Sequence, residues 1–460
     1  MGRFDCHVHS HYSNLRLLDC INFPDKLVER AIELGLKGIA LTDHESLGGH
    51  VVVDKIQQKL IEEGSDFKIA KGNEIYLCDS RDTKQKYYHF ILIAKDAIGH
   101  KMLRELSSTA WINSYYDRGM ERVVTLKSDI EAIVRKYGQG HLIASTACLG
   151  SELDYYILEK HKAKQVGNID QEREMYQRIL CFISWCRSNF KDDFYLEVQP
   201  AQSPEQMIVN QMMGAIGAFC GVKVIVTTDA HYLKKEDREI HKAYLNSKGG
   251  EREVDAFYEY AYLQSTEEVI KNLAGTGLDY YELEANTHEI YNKIENYTLA
   301  KSQSVPRVEV PIYPIEEYNH HYYDTKKYPT LDYLMHSKNP QERYWINYCQ
   351  NELNRLKLGE NEVYLTRLEE EADIQKVIGD KLGTCMFSYP IFLQHYINMF
   401  WEVGSTVGAG RGSACAGLNH YLLGITQLDP VKHELPYWRY SNKDRIELGK
   451  TIIVVNIAQL

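Results

Sequence analysis

The sequence has no run of apolar residues long enough to cross a bilayer, so we expect no transmembrane helix and no membrane partner. The first residues, Met1 to Asp5, lack the apolar segment of a secretory signal, so we expect a cytoplasmic location. The 10 cysteines include no CxxC pair, as is typical of reduced thiols in the cytosol. Internal repeats and low-complexity tracts are also missing.

Positive charge is scarce, with 53 Lys and Arg residues against 64 Asp and Glu residues, for a net charge of −11. A protein that held DNA by bulk electrostatics would be basic, because neutralising phosphates dominates nonspecific affinity. Any contact with nucleic acid must therefore use local patches or bound metal ions. The length of 460 residues predicts two to four globular domains.

The first part of the chain alternates between strand-like and helix-like patterns. Strands are predicted at residues 3–8, 37–42, 68–76, 87–94, 141–146, 193–198 and 222–228. Helices are predicted at Pro24–Leu36, Gly49–Glu63, Asp129–Tyr137, Gln171–Asn189 and Glu205–Cys220. This alternation predicts a parallel sheet, closed or open, with its site at the carboxyl ends of the strands.

From about Glu236 onward the sequence pattern becomes mainly helical. A capping-box pattern over Ser265–Glu268 predicts a helix start, and the many prolines of residues 302–345 predict an extended connector. Further helices are predicted at Gln341–Leu358, Glu362–Leu382 and Leu418–Leu423. The predicted domains are residues 1–285, a helix and Pro/Tyr-rich connector at 286–345, and residues 346–460.

Residue types that bind transition metals lie near almost every predicted strand end. A lone histidine at such a position is usually a satisfied core or surface group, but recurrence at nearly every strand favours a metal site. The residues are His7, His9, Asp43, His44, Glu74, His89, His141, Cys148, Asp229 and His231.

The motifs HxHxxxS, TDH, an isolated Glu, HxxLxA, a Cys in SxACLG and DxHY resemble, in this order, the polymerase and histidinol phosphatase (PHP) superfamily. The resemblance implies a seven-stranded α/β barrel that holds up to three divalent metal ions, Zn²⁺ or Mn²⁺. It implies metal ligands at His7, His9, His44, Glu74, His89, Cys148, Asp229 and His231, with Asp19 of LLDC in the place of a further family carboxylate. We expect His11, His50 and His141 to be bystanders.

Clustered divalent cations would lower the pKa of a bound water and neutralise phosphoryl oxygens. We therefore predict a metal-dependent 3′–5′ exonuclease or related phosphoesterase, with His9, His44, Asp43 and Asp229 as its catalytic residues. Asp43, adjacent to His44, could also orient a ligand. Because histidine ligands must be neutral and cysteine a thiolate, metal occupancy should fall as the pH drops.

A glycine-rich stretch, Gly404 to Gly417, contains the string GAGRGS. It is neither a GxGxxG fingerprint nor a Walker A loop, and alone it would also fit a plain tight turn. Its glycines would let backbone N–H groups approach an anion, and Arg411 and Ser413 would add a guanidinium and a hydroxyl.

The longer string VGxGRGSAxxGLxxYLLGITxLDP resembles the nucleotide-binding motif of C-family DNA polymerases, and Tyr364–Glu371 resembles their YxxRLxxE segment. The resemblance implies that Arg411, Gly412 and Ser413 contact an incoming nucleoside triphosphate.

Together, the motifs resemble the N-terminal portion of bacterial C-family DNA polymerase III alpha subunits. The implied fold is α/β, a PHP barrel over 1–285 followed by the start of a mostly helical, partial α+β palm over 346–460. The implied partners are template-primer or single-stranded DNA, deoxynucleoside triphosphates, and a sliding clamp and other replisome subunits in a full assembly.

The family's PDxD aspartates, which hold catalytic Mg²⁺ in a complete palm, do not occur in this sequence, so we expect no polymerisation by this chain alone. Two alternatives stay open on the sequence. One is a free-standing PHP phosphatase that acts on a small phosphomonoester. The other is a non-catalytic scaffold in which metal ions only stabilise the barrel.

Overall fold

The computed structural model describes residues 2–15, 18–82, 85–117, 120–247, 256–301, 305–312 and 324–444. Contacts divide the chain into two compact units, Met1–Lys301 and Ser302–Leu460. No helix in these described ranges is both long and apolar enough to cross a membrane.

The first unit is built on one large sheet whose path runs β1-β2-β3-β4-β8-β9-β10, with β7 paired to β3. A separate two-stranded hairpin is formed by β5 and β6. The strands are β1 Phe4–Val8, β2 Gly38–Leu41, β3 Lys68–Cys78, β4 Tyr88–Ala94, β5 Tyr115–Asp117, β6 Met120–Arg122, β7 Thr125–Leu126, β8 Leu142–Ser145, β9 Phe194–Val198 and β10 Val224–Val226.

The prediction of an all-parallel sheet is wrong at β4, which pairs antiparallel with both β3 and β8. The reason is the short connection through residues 79–87, because a parallel crossover needs a dozen or more residues. The other neighbours on the path are parallel. Consequently β4 presents its first residues, rather than its last, at the edge where the other strands end.

The sheet nearly closes into a barrel. Val8 at the end of β1 forms a parallel bridge with Ala230, which follows β10, and the His9 amide donates to the Ala230 carbonyl at 3.1 Å. The buried Asp5 carboxylate adds a second link, since it accepts hydrogen bonds from the Thr228 amide and hydroxyl at 3.2 and 2.7 Å. The first and last strands of the path therefore meet.

The interior of the barrel is apolar at the end away from the metal-ligand residues. Phe4, Ala40, Ile91 and other strand residues form one buried cluster, and Ile290 of the last helix of the unit belongs to it.

Helices form a layer outside the sheet. The helices of the first unit are α1 Pro24–Glu33, α2 His50–Glu62, α3 Ala97–Ile112, α4 Lys127–Tyr137, α5 Glu152–Gln165, α6 Ile169–Phe190, α7 Pro204–Cys220, α8 Arg238–Leu245, α9 Thr266–Asn272 and α10 Tyr280–Lys293.

The second unit is helical, and its described residues contain no strand. Its core surrounds the fully buried Trp345, whose ring lies 4.9 Å from that of Phe387. The helices are α11 Pro329–His336, α12 Pro340–Arg355, α13 Glu362–Leu382, α14 Ser388–Glu402 and α15 Leu418–Leu422.

The predicted boundary at 285 falls inside α10, and packing extends the first compact unit to Lys301. The segment predicted as a connector, residues 302–345, contains all of α11 and the start of α12. Its residues 302–304 and 313–323 lie outside the described residues. The predicted capping box is present, because the Ser265 hydroxyl accepts from the Glu268 amide and Glu268 accepts from the Ser265 amide.

We predict that Ile290→Ala lowers the free energy of unfolding of the first unit by about 2–5 kcal/mol, because it leaves a cavity in the barrel core. Tyr281→Ala on the same helix is the matched control, since Tyr281 is 68% exposed. Urea unfolding of both variants checks this expectation. Equal stabilities would show that α10 does not contribute to the barrel core.

Candidate metal centre

The described sheet edge gathers the predicted ligands from four different connections and three strands. His7 lies in β1 and Glu74 in β3, while His89 is near the start of β4. The others follow strands: His9 follows β1, His44 follows β2, Cys148 follows β8, and Asp229 and His231 follow β10. Asp19 lies between β1 and α1. The near-closure of the barrel brings these side chains into one pocket.

Three overlapping groups of side chains could each hold a metal ion, with ligand atoms all within 4.8 Å of one another. Neighbouring groups share His9 or His44, so the pocket is continuous. The groups are His7, His9 and Asp229; His9, His44 and His231; and His44, Glu74 and His89.

His7 is oriented by a carboxylate that the sequence analysis did not single out. The Glu197 Oε1 atom lies 2.6 Å from His7 Nδ1, so this nitrogen carries the proton and donates it. Glu197 is fixed in turn by the hydroxyls of Ser145 and Thr227, at 2.6 and 2.5 Å. His7 Nε2 is left with its lone pair directed into the pocket, as a metal ligand requires. A carboxylate in the middle of a buried strand, FYLEV, was the available indication.

His9 is oriented by a serine that is itself held by Asp43. The Ser13 hydroxyl donates to Asp43 Oδ1 at 2.8 Å and therefore accepts from His9 Nδ1, which lies 3.0 Å away. Asp43 also accepts from the Ser10 amide and hydroxyl. Asp43 is thus behind the pocket and acts on His9 through Ser13. Its predicted role as a catalytic residue stays a prediction.

The pocket contains more acceptors than donors. His7 Nε2 and His9 Nε2 lie 3.0 Å apart, and Asp229 Oδ1 lies 3.1 and 3.0 Å from them. Among the described residues, Asp229 Oδ1 and Glu74 Oε2 are buried oxygens that face imidazole nitrogens, with His44 Nδ1 2.7 Å from Glu74 Oε2, and no other hydrogen donor reaches them. Buried acceptors that face one another without a donor are costly, and a bound cation removes this cost. The residues present therefore fit a metal.

The protonation equilibria of the pocket indicate the same need for positive charge. Burial disfavours a charged ring, but the surrounding carboxylates, Asp229 foremost, raise the pKa of His7 well above its ordinary value. Burial likewise opposes ionisation of Glu74, yet His44 and His89 hold its pKa well below the usual range. The pocket binds positive charge strongly, either as protons on imidazoles or as metal ions.

Asp19 and Cys148 lie at the border of the three groups. The Asp19 Oδ2 atom lies 2.9 Å from His44 Nε2 and 3.0 Å from His231 Nε2, in the position expected of a bridging carboxylate. The Cys148 Sγ atom lies 3.3 Å from His89 Nδ1. Burial raises the pKa of the Cys148 thiol well above its ordinary value, so metal binding would have to displace its proton.

The three predicted bystander histidines face away from the pocket. His11 Nδ1 lies 3.3 Å from the Asn22 carbonyl, and His141 Nδ1 lies 2.6 Å from Asp96. His50 is buried and bonds His100 and the Gly72 carbonyl, at 3.1 and 2.8 Å. None of these three belongs to a metal-binding group among the described residues.

Backbone strain is concentrated at this edge. Asp229, Glu45 next to His44 and Ala147 next to Cys148 all have left-handed backbone angles, with φ of 47°, 48° and 63°. Such angles are unfavourable for residues other than glycine and are retained where they aim a functional group.

Of the pocket side chains, that of His89 is the most exposed. The side chains of His7, His9 and Glu74 are 0% exposed, that of His44 is 10% exposed, and that of His89 is 25% exposed. A substrate would therefore approach past His89.

The glycine-rich stretch of the second unit forms a loop followed by a short 3₁₀ helix, Gly412–Ala416. Gly410 and Gly412 adopt positive φ angles of 132° and 76°, and a Cβ on Gly410 would lie 2.8 Å from Cys415 Sγ. Arg411 is exposed and Ser413 half-buried. Their predicted contact with a nucleoside triphosphate stays a prediction.

The YxxRLxxE segment on α13 clamps the chain that follows this loop. Arg367 donates to the carbonyls of Ala416 and Leu435 at 2.6 and 2.8 Å. The buried Glu371 carboxylate accepts from the amides of Leu418 and Asn419 at 2.7 and 2.9 Å, at the start of α15. The two motifs identified separately in the sequence therefore form one hydrogen-bonded unit.

Comparisons with known proteins match both regions. The PHP domain family matches residues 5–201, and the bacterial DNA polymerase III alpha NTPase domain matches residues 343–449. A probable DNA polymerase, YorL, of Bacillus subtilis is 38% identical over 471 residues, which cover 96% of this chain and 36% of that protein.

A DNA polymerase III subunit alpha of Helicobacter pylori is 29% identical over 96% of this chain and 34% of that protein. The chain thus spans about a third of the length of these relatives. Among solved structures, a histidinol phosphate phosphatase of Lactococcus lactis, complexed with zinc, L-histidinol and phosphate, has 18% identity and a TM-score of 0.26. That likeness covers 54% of this chain and 94% of the phosphatase.

We predict that Glu371→Ala lowers the free energy of unfolding of the second unit by about 3–5 kcal/mol, because it removes the carboxylate that pairs with Arg367 at 2.8 Å and leaves two buried amides without an acceptor. Glu370→Ala, an exposed position on the same helix, is the control and should change stability by less than about 0.5 kcal/mol. Denaturant unfolding followed by tryptophan fluorescence measures both. A similar small effect of the two substitutions would contradict the clamp.

Proposed function

We propose that this chain belongs to the family of DNA polymerase III alpha subunits, and that its first unit is a metal-dependent phosphoesterase that removes nucleotides from the 3′ end of DNA. The observation that carries the proposal is the pocket itself, in which imidazole nitrogens of His7, His9 and His44 lie 2.7 to 3.2 Å from the buried Asp229 Oδ1 and Glu74 Oε2 atoms. A phosphodiester is the substrate class in keeping with the polymerase relatives.

We assign the binding of up to three divalent cations, Zn²⁺ or Mn²⁺, to the three groups described above, with Asp19 and Cys148 completing the ligand set. Bound there, the cations would supply Lewis acidity toward a phosphoryl group and an activated water. Asp43 and Glu197 serve as positioning residues, because they fix the tautomers of His9 and His7. Burial of the innermost ligands excludes bulk water from the pocket.

The second unit would bind the triphosphate of a deoxynucleotide through Arg411, Gly412 and Ser413. The exposed loop and the clamp behind it support this assignment, since the clamp fixes the backbone from which these residues project. Template-primer DNA and, in a full assembly, a sliding clamp and other replisome subunits are the proposed partners. Polymerisation would need Mg²⁺ and carboxylates beyond those that we can assign here.

We predict that protein purified at neutral pH contains Mn, Zn or Fe, and that metal affinity rises with pH. Metal affinity rises with pH because the raised pKa of His7 keeps a proton on the ring, and a metal ion must displace this proton. Elemental analysis and metal titration at several pH values measure this. Protein that stays free of these metals after dialysis against each would contradict it.

We predict that the wild-type chain shortens 3′-labelled single-stranded DNA and that His9→Ala abolishes this activity, by at least about 100-fold, since His9 belongs to two of the three metal groups. His11→Ala is the control, because His11 lies outside these groups. Hydrolysis of p-nitrophenyl phosphate is measured in parallel.

The parallel assay separates the alternatives. Rapid turnover of the small phosphomonoester with no loss of nucleotides would favour a free-standing phosphatase. If His9→Ala lowers only the melting temperature and the wild type hydrolyses neither substrate, the metals would serve the structure alone.

A further inference from the structure

The entrance to the metal centre is bordered by two tyrosines, Tyr76 in β3 and Tyr87 just before β4. Glu74 and Tyr76 are two residues apart in β3, so their side chains lie on the same face, about 7 Å apart along the strand. Tyr76 pairs directly with His89 across the antiparallel ladder. Tyr87, two residues before His89, continues this face outward. The side of the pocket next to His89 is therefore lined by aromatic rings.

The rings follow one another from the metal ligands toward solvent. The Tyr76 ring lies 5.8 Å from that of His44 with an interplanar angle of 14°, and 5.0 Å from that of His89. The Tyr87 ring lies 5.2 Å from that of Tyr76 at 61°. Both tyrosines are half-buried, so each keeps part of its ring accessible.

A cation lies at the outer end of this row. Arg122, on the β5–β6 hairpin, donates from Nη1 to the Tyr87 hydroxyl at 2.6 Å, and its guanidinium lies 5.4 Å from the Tyr87 ring centroid. Its Nε atom is buried and has no hydrogen-bond partner among the described residues. Among the described residues, the ion pair of Arg122 is with Asp117, whose Oδ2 atom lies 3.9 Å from Nε, and a partly exposed pair at this distance is weak.

We propose that Tyr76, Tyr87 and Arg122 form a track for single-stranded nucleic acid, which leads a 3′ end into the metal centre. The inference rests on the proposed function and names how its substrate is held. Nucleotides next to the scissile linkage stack on Tyr76 and Tyr87, and a phosphate farther along contacts Arg122. Aromatic rings alternating with a cation recognise single strands without reading their sequence, since every base has a flat face.

This track accounts for nucleic-acid binding by an acidic chain. The net charge of −11 rules out bulk attraction as the main source of affinity, whereas base stacking does not depend on net charge. A small phosphomonoester would have no use for a second ring beyond Tyr76. The track therefore distinguishes a polynucleotide substrate from a small one.

The test measures binding rather than hydrolysis. A 5′-fluorescein-labelled single-stranded oligodeoxynucleotide with phosphorothioate linkages at its 3′ end is titrated with protein, and fluorescence anisotropy gives the Kd. We expect Tyr87→Leu to weaken binding by about fivefold to about 100-fold. Tyr281→Leu, at a tyrosine that is 68% exposed on α10, should leave the Kd unchanged. Tyr87→Phe should retain most of the affinity, since it keeps the ring.

A second oligonucleotide, abasic at its two 3′-terminal positions, separates stacking from a folding defect. The wild type should bind the abasic strand about fivefold to about 100-fold more weakly than the intact strand. For Tyr87→Leu, the difference in Kd between the two strands should be much smaller. The track would be overturned if removing the two bases weakened binding equally in wild type and variant, or if it did not weaken binding to the wild type. Unchanged metal content of Tyr87→Leu checks that the centre is intact. If binding depends on the Tyr87 ring but the wild type does not hydrolyse unmodified DNA, the proposed exonuclease is overturned while the track is supported.

Discussion

The structure of the first unit depends on the convergence of lone pairs and negative charge at one edge of a nearly closed sheet. His7 and His9 direct their Nε2 atoms at each other across 3.0 Å, and Asp229 approaches both. In a pocket shielded from water, this arrangement is stable only when a positive charge lies among the acceptors. Positive charge, as ring protons or as a bound cation, is therefore a structural requirement of the barrel edge.

The supporting residues make the arrangement specific. Glu197 and the Asp43–Ser13 pair place the ring protons of His7 and His9 on the outer nitrogens, which leaves the inner nitrogens free to bind metal. The left-handed backbone at Asp229 adds a local cost that the surrounding hydrogen bonds must offset. A buried carboxylate also fixes local structure in the second unit, where Glu371 holds the chain that follows the glycine-rich loop.

Much of the fold could be predicted from the sequence, because all seven path strands carry clear apolar patterns and nearly all of them have ligand types in or near them. The direction of β4 could not, since a strand pattern does not record which neighbour it pairs with. Helix α5 was missed because it buries Glu152 and Asp154, and α14 because it is apolar on most sides. Glu197 escaped notice, and Ser13 of the HxHxxxS motif was given no role, because both act through contacts between distant segments. Tyr76 and Tyr87 look like ordinary strand residues until the pairing of β3 with β4 places them at the entrance.

The account is tested most directly by anomalous diffraction from crystals of the protein grown with Mn²⁺ or Zn²⁺. It predicts anomalous peaks within bonding distance of His7, His9 and Asp229, and near His44 and Glu74. Well-ordered side chains at these positions with no anomalous peak among them would contradict a shared cation centre.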